Sequence, residues 1–173
     1  MRTTVLYVAA SVDGFIARED GTIDWLPSGG DDGEGGDYGY GELMARTDVL
    51  LMGRATYELA KSFPEWPYPG RRCVVFSSRP IDDPRVEAAA DAAATTRRLL
   101  SEPGKDLWLV GGGRIVAALL EARLLHEIIL TTVPVVLGRG IPLFPQIRGD
   151  VRLTLRSARA YPTGLVQTRY DAG

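Results

Sequence analysis

An α/β fold with a mixed, mostly parallel central sheet is what the sequence predicts, and three observations carry the prediction. Short β-branched or apolar runs alternate with segments of helical spacing along most of the chain. Two of those runs pass straight through glycine into a helical segment, at Met52-Gly53-Arg54 and at Val110-Gly111-Gly112-Gly113. The chain then finishes on two strand-like segments joined by Tyr161-Pro162-Thr163-Gly164, good turn chemistry for an antiparallel hairpin. With 173 residues, the expectation is one domain over 1–173, its helices on both faces of the sheet.

Residues Thr3 to Ala9 read as the first strand, running into the polar turn Ser11-Val12-Asp13-Gly14. The Gly- and Asp-dominated segment Ser28 to Gly41 is too poor in apolar residues to pack a core and reads as a mobile surface loop. A short helix is expected over Glu42 to Arg46, and a buried central strand over Val49 to Met52. Helical spacing over Ala55 to Phe63 puts Tyr57, Ala60 and Phe63 on one side, until Pro64, Pro67 and Pro69 end it. Strands follow at Arg72 to Phe76 and near Val86, then a helix around Thr95 to Glu102 and a strand at Leu107 to Val110. Ile115 to Leu125 is a strongly apolar helix, Glu127 to Val133 a strand, and Val151 to Ala160 and Leu165 to Tyr170 form the closing hairpin.

Composition excludes several function classes. Lys and Arg number 20 against 22 Asp and Glu, and the basic residues are dispersed, so a nucleic-acid partner is not expected. No apolar run approaches the roughly 20 residues of a membrane span, and no signal-peptide block opens the chain, so a cytoplasmic protein is expected. The lone cysteine, Cys73, sits in a buried-strand pattern and reads as a core thiol. The single histidine, His126, has no converging ligands to suit a metal and reads as a surface or helix-capping residue.

The chemistry is concentrated at the two strand–glycine–helix junctions. Glycine lets backbone N–H groups approach a phosphate, and a helix N-terminus adds a favourable dipole. Arg54 and Thr56 add a charge and a hydroxyl at the first junction. The alternative is that these glycines merely permit sharp turns. Together, the two junctions favour a dinucleotide whose pyrophosphate lies between two helices. Ser77-Ser78-Arg79, after a buried strand, offers hydroxyls and a guanidinium that suit a 2′-phosphate, where a free 2′-hydroxyl usually meets Asp or Glu. A solvated turn is the competing reading. The triplet Gly111-Gly112-Gly113 is not G-x-G-x-x-G and lies late in the chain, so a Rossmann domain is not indicated.

Met52-Gly53-Arg54-Ala55-Thr56-Tyr57-Glu58, Phe76-Ser77-Ser78-Arg79-Pro80 and Val110-Gly111-Gly112-Gly113-Arg114-Ile115 resemble, in order and spacing, the motifs of the dihydrofolate reductase superfamily. Ser11-Val12-Asp13-Gly14-Phe15-Ile16-Ala17 and Val135-Val136-Leu137-Gly138-Arg139-Gly140-Ile141-Pro142-Leu143-Phe144 are more similar to its riboflavin-biosynthesis reductase branch. The resemblance spans nearly the whole chain. It implies a dihydrofolate reductase-like three-layer α/β/α fold and NADPH as cofactor. It places Gly53, Arg54 and Thr56 on the pyrophosphate and 2′-phosphate, and Ser77, Ser78 and Arg79 around the adenosine end. Gly111, Gly112, Gly113, Arg114, Ile115 and Val116 would close over the pyrophosphate and nicotinamide side, often with a cis peptide at Gly111–Gly112. Ala10, Ile16 and Ala17 would line the nicotinamide pocket.

The resemblance thins on the substrate side. Dihydrofolate reductases set a carboxylate, shortly after a Trp, against the pterin ring, where partial desolvation raises its pKa. Here Asp24 precedes Trp25, and Asp37 is the only later acid near a helix start. Asp24 as proton relay competes with Asp24 as a turn cap, with Asp13 and Asp37 as further candidates. Thr131 matches a threonine that supports the carboxylate, and Trp25 and Asp37 are the substrate-side candidates. The implied activity is hydride transfer from NADPH to a pterin-like or aminopyrimidine-like heterocycle. The competing reading is a non-catalytic NADP(H)-binding module that acts through a partner. No zinc-ligand spacing of an attached deaminase is present, so the reductase is expected to stand alone. The resemblance implies a homodimer, with Val133-Pro134-Val135-Val136-Leu137 as either interface or core. Trp66 with Pro64, Pro67 and Tyr68 reads as either pocket wall or packed loop.

Overall fold

The computed structural model describes residues 1–27 and 37–173, so most of the glycine-rich segment read as a mobile loop, residues 28–36, lies outside the described residues. Of the remainder of that segment, Tyr40 and Gly41 already belong to a helix.

Eight strands form one sheet: β1 (Thr4–Ser11), β3 (Thr47–Gly53), β4 (Arg72–Phe76), β5 (Val86–Ala89), β6 (Asp106–Gly111), β7 (Glu127–Val133), β9 (Thr154–Ala160) and β10 (Val166–Asp171). Their order is β5-β4-β3-β6-β1-β7-β10-β9. All pairings are parallel up to β7, and β10 then runs antiparallel to both β7 and β9. Two short strands that the sequence did not announce, β2 (Phe15–Ala17) and β8 (Ile141–Pro142), pair antiparallel as a separate two-stranded sheet. Each is too short to show a periodicity of its own.

Alternation along the buried strands divides the core into two faces. Leu51, Val74, Leu107 and Leu109 point to the side covered by α3 (Ala92–Ser101) and α4 (Gly113–Glu121), meeting Leu99, Val116 and Leu119. Leu50, Met52, Cys73, Val75 and Trp108 point to the side covered by α1 (Tyr40–Arg46) and α2 (Arg54–Lys61), meeting Leu43 and Tyr57. The result is the expected three-layer α/β/α arrangement with a mixed, mostly parallel sheet and an antiparallel finish. Each fully buried leucine contributes about 1.5–3 kcal/mol, so these two faces dominate stability. No helix among the described residues is long and apolar enough to cross a membrane.

Several boundaries differ from the sequence reading, for physical reasons. Helix α3 starts earlier because Asp91 caps it, accepting from the Ala94 N–H at 2.9 Å. Helix α4 stops at Glu121 rather than Leu125, because Arg123 adopts a left-handed conformation (φ 55°) and Leu124 and Leu125 are buried on the way into β7. Phe63 lies beyond the end of α2 and is 44% exposed rather than on its buried face. His126 caps no helix: its Nδ1 accepts from the Thr4 N–H at 3.1 Å, beside the start of β7. The run Val133 to Leu137 is split, with Val133 and Val135 packed inward and Val136 69% exposed. Trp66 is a packed loop residue, its indole N–H donating to the Tyr68 carbonyl at 3.1 Å and its ring covered by the Arg85 guanidinium.

Candidate cofactor groove and substrate pocket

The parallel strands β1, β3, β4 and β6 all end on one edge of the sheet, and β6 fills the gap between β3 and β1. Crevices at the carboxyl ends of such strands are where open α/β sheets receive ligands. Strand β3 ends at Gly53, which enters α2 in an extended conformation with no side-chain cap. Strand β6 ends at Gly111, and Gly112 then turns the chain into α4 with φ 95°, a backbone that side chains with a Cβ rarely adopt. The Gly112 carbonyl accepts from the N–H groups of Ile115 and Val116, leaving those of Gly113 and Arg114 without an intrahelical acceptor. Gly113 is required for a different reason. A Cβ there would lie 3.0 Å from the Leu143 carbonyl oxygen and the Pro145 ring, and closer still to the Pro142 carbonyl oxygen.

Between these helix entrances runs a groove of about 850 Å³, lined by Gly53, Arg54, Ser77, Ser78, Arg79, Gly112, Gly113, Arg114 and Ile115. Nine residues separated by up to 62 positions in sequence, all named from sequence as cofactor-side candidates, thus share one surface. The Arg54 guanidinium donates to Ser77 Oγ at 3.1 Å and to the Pro80 carbonyl at 3.3 Å, and pairs with Glu58 at 3.2 Å. It therefore also braces the 77–80 turn. Arg79 and Arg114 are exposed and have no ion-pair partner among the described residues. Three guanidinium groups face one carboxylate, Glu19, so the groove favours an anion.

Beside the groove, and sharing Ala55, Gly112 and Ile141 with it, lies a second cavity of about 320 Å³. Ile16 and Ala17 of β2 line it, and so does Thr56 of α2, which the resemblance places on the phosphates but which does not line the groove. Its inner wall is aromatic. The Tyr7 and Tyr68 rings stand edge-on to Trp108 at centroid distances of 6.2 and 5.6 Å. Burial first, and then the Asp37 charge, push the Tyr7 hydroxyl up to about 12, and burial raises Tyr68 as well. Both phenols are neutral donors at physiological pH. The sequence names Tyr68, with Trp66 and the prolines, as pocket wall or packed loop, and singles out neither Tyr7 nor Trp108. Each sits in a run that also reads as ordinary core, and only the fold brings Tyr7 of β1, Trp108 of β6 and Tyr68 of the proline loop together.

The remaining candidates fall elsewhere. Ala10 and Val116 are 2% and 0% exposed, belong to the core and line neither cavity. The Gly111–Gly112 bond is not cis; the turn is made by the positive φ values of the two glycines. Asp24 is an exposed turn residue whose carboxylate takes the Arg18 guanidinium at 2.6 Å, which lowers its pKa and gives none of the desolvation a proton relay needs. Asp13 is likewise held low, first by the Ser11 hydroxyl, and accepts from the N–H groups of Leu137 and Gly138 at 3.1 and 2.7 Å. It ties the first turn to the 137–138 loop. Asp37 accepts from the N–H groups of Gly41 and Gly39 at 2.6 and 2.9 Å, which lowers its pKa and fixes the entrance of α1. Trp25 packs with Val133, Tyr161 and Leu165 rather than lining the pocket.

Thr131 supports an amide, not a carboxylate. Its hydroxyl oxygen accepts from Gln167 Nε2 at 3.0 Å. The same amide group donates to the Tyr38 carbonyl at 2.8 Å, which also accepts the Tyr7 hydroxyl at 3.3 Å. Gln167 thus links Thr131 to the pocket wall, a role hidden in sequence because a strand Gln reads as a solvent-facing residue.

Comparison with known proteins agrees with this architecture. The chain is 41% identical to the uncharacterised protein YwjB of Bacillus subtilis over 165 residues, covering 92% of each chain. It is 28% identical to YyaP of the same organism, covering 98% of this chain and 94% of that one. A crystal structure from Shewanella sp. PV-4, provisionally named for riboflavin biosynthesis, superposes with a TM-score of 0.82 at 27% identity over 99% of both chains. A pyrimidine reductase-like protein of Corynebacterium diphtheriae shares the fold, with a TM-score of 0.64 at 16% identity over 99% of this chain and 92% of that one. The model of the RibD C-terminal domain matches residues 2–167, and membership supports a reductase-like role. With strand order, glycine junctions and groove in agreement, the chain belongs to the RibD C-terminal domain family.

Proposed function

We propose that this protein is an NADPH-dependent reductase, acting in the cytoplasm on a pterin-like or aminopyrimidine-like heterocycle. One observation carries the reading: the cationic groove adjoins the apolar pocket, with Ala55, Gly112 and Ile141 lining both. A dinucleotide needs that combination, a polar track for its phosphates and a dry end for its ring. The residues present fit NADPH. The first-turn N–H groups of α2 and α4 would take the pyrophosphate, with Arg54 bracing the turn beside it. Ser77, Ser78 and the ion-pair-free Arg79 would take the 2′-phosphate, in a groove whose three guanidinium groups outnumber its one carboxylate, Glu19. When bound, the nicotinamide supplies the hydride. The protein's own part would be to bring the nicotinamide and the substrate ring together in the cavity lined by Ile16, Ala17, Thr56 and the aromatic wall.

The homodimer is proposed on β9. Its seven residues are all exposed, it pairs on one side only, with β10, and it leaves Leu155 56% exposed beside Val151 and Leu153. An uncovered apolar edge strand of this kind is a template for pairing with a second copy.

The deciding experiment is a titration of the protein and its Arg79→Ala variant with NADPH and NADH. Arg79 is a cleaner probe than Arg54, whose removal would also loosen the 77–80 turn. The expected result is tighter binding of NADPH than NADH, with the difference shrinking about five- to tenfold in the variant, as for an exposed charge-assisted contact. Binding of neither nucleotide refutes the reductase reading. NADPH oxidation with a pterin or aminopyrimidine then separates it from a module that binds without turnover.

A further inference from the structure

We propose that the substrate of this pocket is an uncharged planar ring compound that carries a carbonyl or ring-nitrogen acceptor, and that phosphorylated and carboxylated compounds are excluded. The inference rests on the reductase reading for its reaction, but on the pocket alone for its selectivity.

Among the described residues, none that lines the cavity carries a charge. Its polar side chains are those of Tyr7, Tyr68, Thr56 and Trp108. The Tyr7 hydroxyl and the Trp108 indole N–H already donate to the Tyr38 and Tyr7 carbonyls, so the donors that face a ligand are the hydroxyls of Thr56 and of Tyr68, which burial keeps protonated. Donors without charge suit a carbonyl oxygen or a ring nitrogen. An anion entering here would lose its hydration and meet no cation, a cost that desolvated ions recover only by pairing. Basic groups on the elements around it have partners elsewhere: Arg18 pairs with Asp24 at 2.6 Å and Arg54 with Glu58 at 3.2 Å. Arg169 pairs with Glu42 at 3.0 Å, and Lys61 lies 5.9 Å over the Tyr57 ring. At Tyr7 the Asp37 charge raises the hydroxyl's pKa more than Arg169 lowers it. Residues 28–36 contain three acids and no base, so no cation comes from that segment.

The mouth offers no alternative anchor. Ile23, Leu59 and Phe63 line its rim, and Phe63 is 44% exposed. A volume of about 320 Å³ lies at the small end of ligand cavities, roughly 300–1,000 Å³. That size suits a compact ring. The aromatic edges of Tyr7, Tyr68 and Trp108 favour a flat partner.

Two probes of one ring system separate charge from shape: lumazine, neutral near pH 7, and lumazine-6-carboxylate. Each is titrated calorimetrically into the full chain, with and without saturating NADPH. Lumazine is expected to bind at least about tenfold more tightly than the carboxylate. In Phe63→Lys, which adds a cation at the exposed rim, the carboxylate should gain about fivefold while lumazine stays within twofold. Equal or tighter binding of the carboxylate to the unmodified protein overturns the proposal. So does binding of neither probe while NADPH binds, an outcome that leaves the cofactor reading intact. Selective binding of lumazine by a protein that binds no NADPH supports the pocket's selectivity and refutes the reductase reading alone.

Discussion

Replacing Gly113 by alanine sets two opposed effects of known size against each other. Gly113 opens α4, and a glycine in a helix is up to about 1 kcal/mol worse than alanine, less at the first position. On helix propensity alone the variant gains stability. Its new Cβ, however, meets the carbonyl oxygens of Pro142 and Leu143 and the Pro145 ring at 3.0 Å or less. Backbone oxygens and a proline ring cannot rotate away, so the segment must lift, at the about 1–3 kcal/mol typical of overpacking. The net expectation is a loss of about 1–2 kcal/mol, a drop in Tm of roughly 3–6 °C for a chain of this size. The same segment carries β8, whose Ile141 pairs with Ala17 and lines both cavities. NADPH affinity should therefore fall as well, although the substitution adds no charge. Thermal unfolding by circular dichroism, with a nucleotide titration on the folded variant, measures both. A variant as stable as its parent, with unaltered titration, refutes the argument that close approach of the 142–145 segment dictates glycine here.

Other consequences are simpler to state. Tyr57→Phe removes the 2.8 Å hydrogen bond to Asp83, a charged acceptor whose side chain is 5% exposed, and should cost about 1.5–3 kcal/mol in urea unfolding. Asp83 is held well below the usual carboxylate range, chiefly by the Arg85 guanidinium. A depressed folded-state pKa gives stability that is complete above the unfolded value near ~3.9 and is lost as pH falls further. The stability gap between the protein and Asp83→Asn should thus be full at neutral pH and narrow below about pH 4. Cys73 is 1% exposed and its thiol is pushed up to about 11 by burial, so it should resist a thiol reagent at neutral pH until the protein unfolds. Leu155→Lys, on the uncovered edge strand, should convert a micromolar dimer to monomer in sedimentation. A monomeric parent protein would falsify the dimer itself.

The central strands were legible in the sequence because they are buried on both faces. Continuous apolar runs such as Leu50-Leu51-Met52 and Val74-Val75-Phe76 have few alternative fates, and β4 and β7 lie where the pattern placed them. Helix ends were less legible, since they depend on single conformations such as the Asp91 cap and the left-handed Arg123. Strands β2 and β8 left no signal, because two or three residues show no period, and their pairing is a long-range contact between positions 15–17 and 141–142. The cofactor groove was legible for the opposite reason. Phosphate recognition uses glycines, helix entrances and polar turns that stand out locally, and the fold had only to bring three of them to one edge.

The substrate side was illegible because its chemistry is distributed over residues that look structural. A search for a carboxylate beside Trp25 finds Asp24, and the fold gives that acid to Arg18 in solvent. The acid nearest in effect to the pocket, Asp37, is spent on the first N–H groups of α1 and reaches the site only as a charge acting on Tyr7. The polar thread from Thr131 through Gln167 and the Tyr38 carbonyl to the Tyr7 hydroxyl crosses four segments, no two of them adjacent in sequence. Its parts are a strand threonine, a strand glutamine, a backbone carbonyl and a strand tyrosine, each with an ordinary place in a sheet. What makes them a site is that β1, β7 and β10 lie side by side and end the thread in a cavity without charge. Selectivity here is therefore a property of what the wall lacks. An absent cation leaves no motif, and only the assembled lining reveals it.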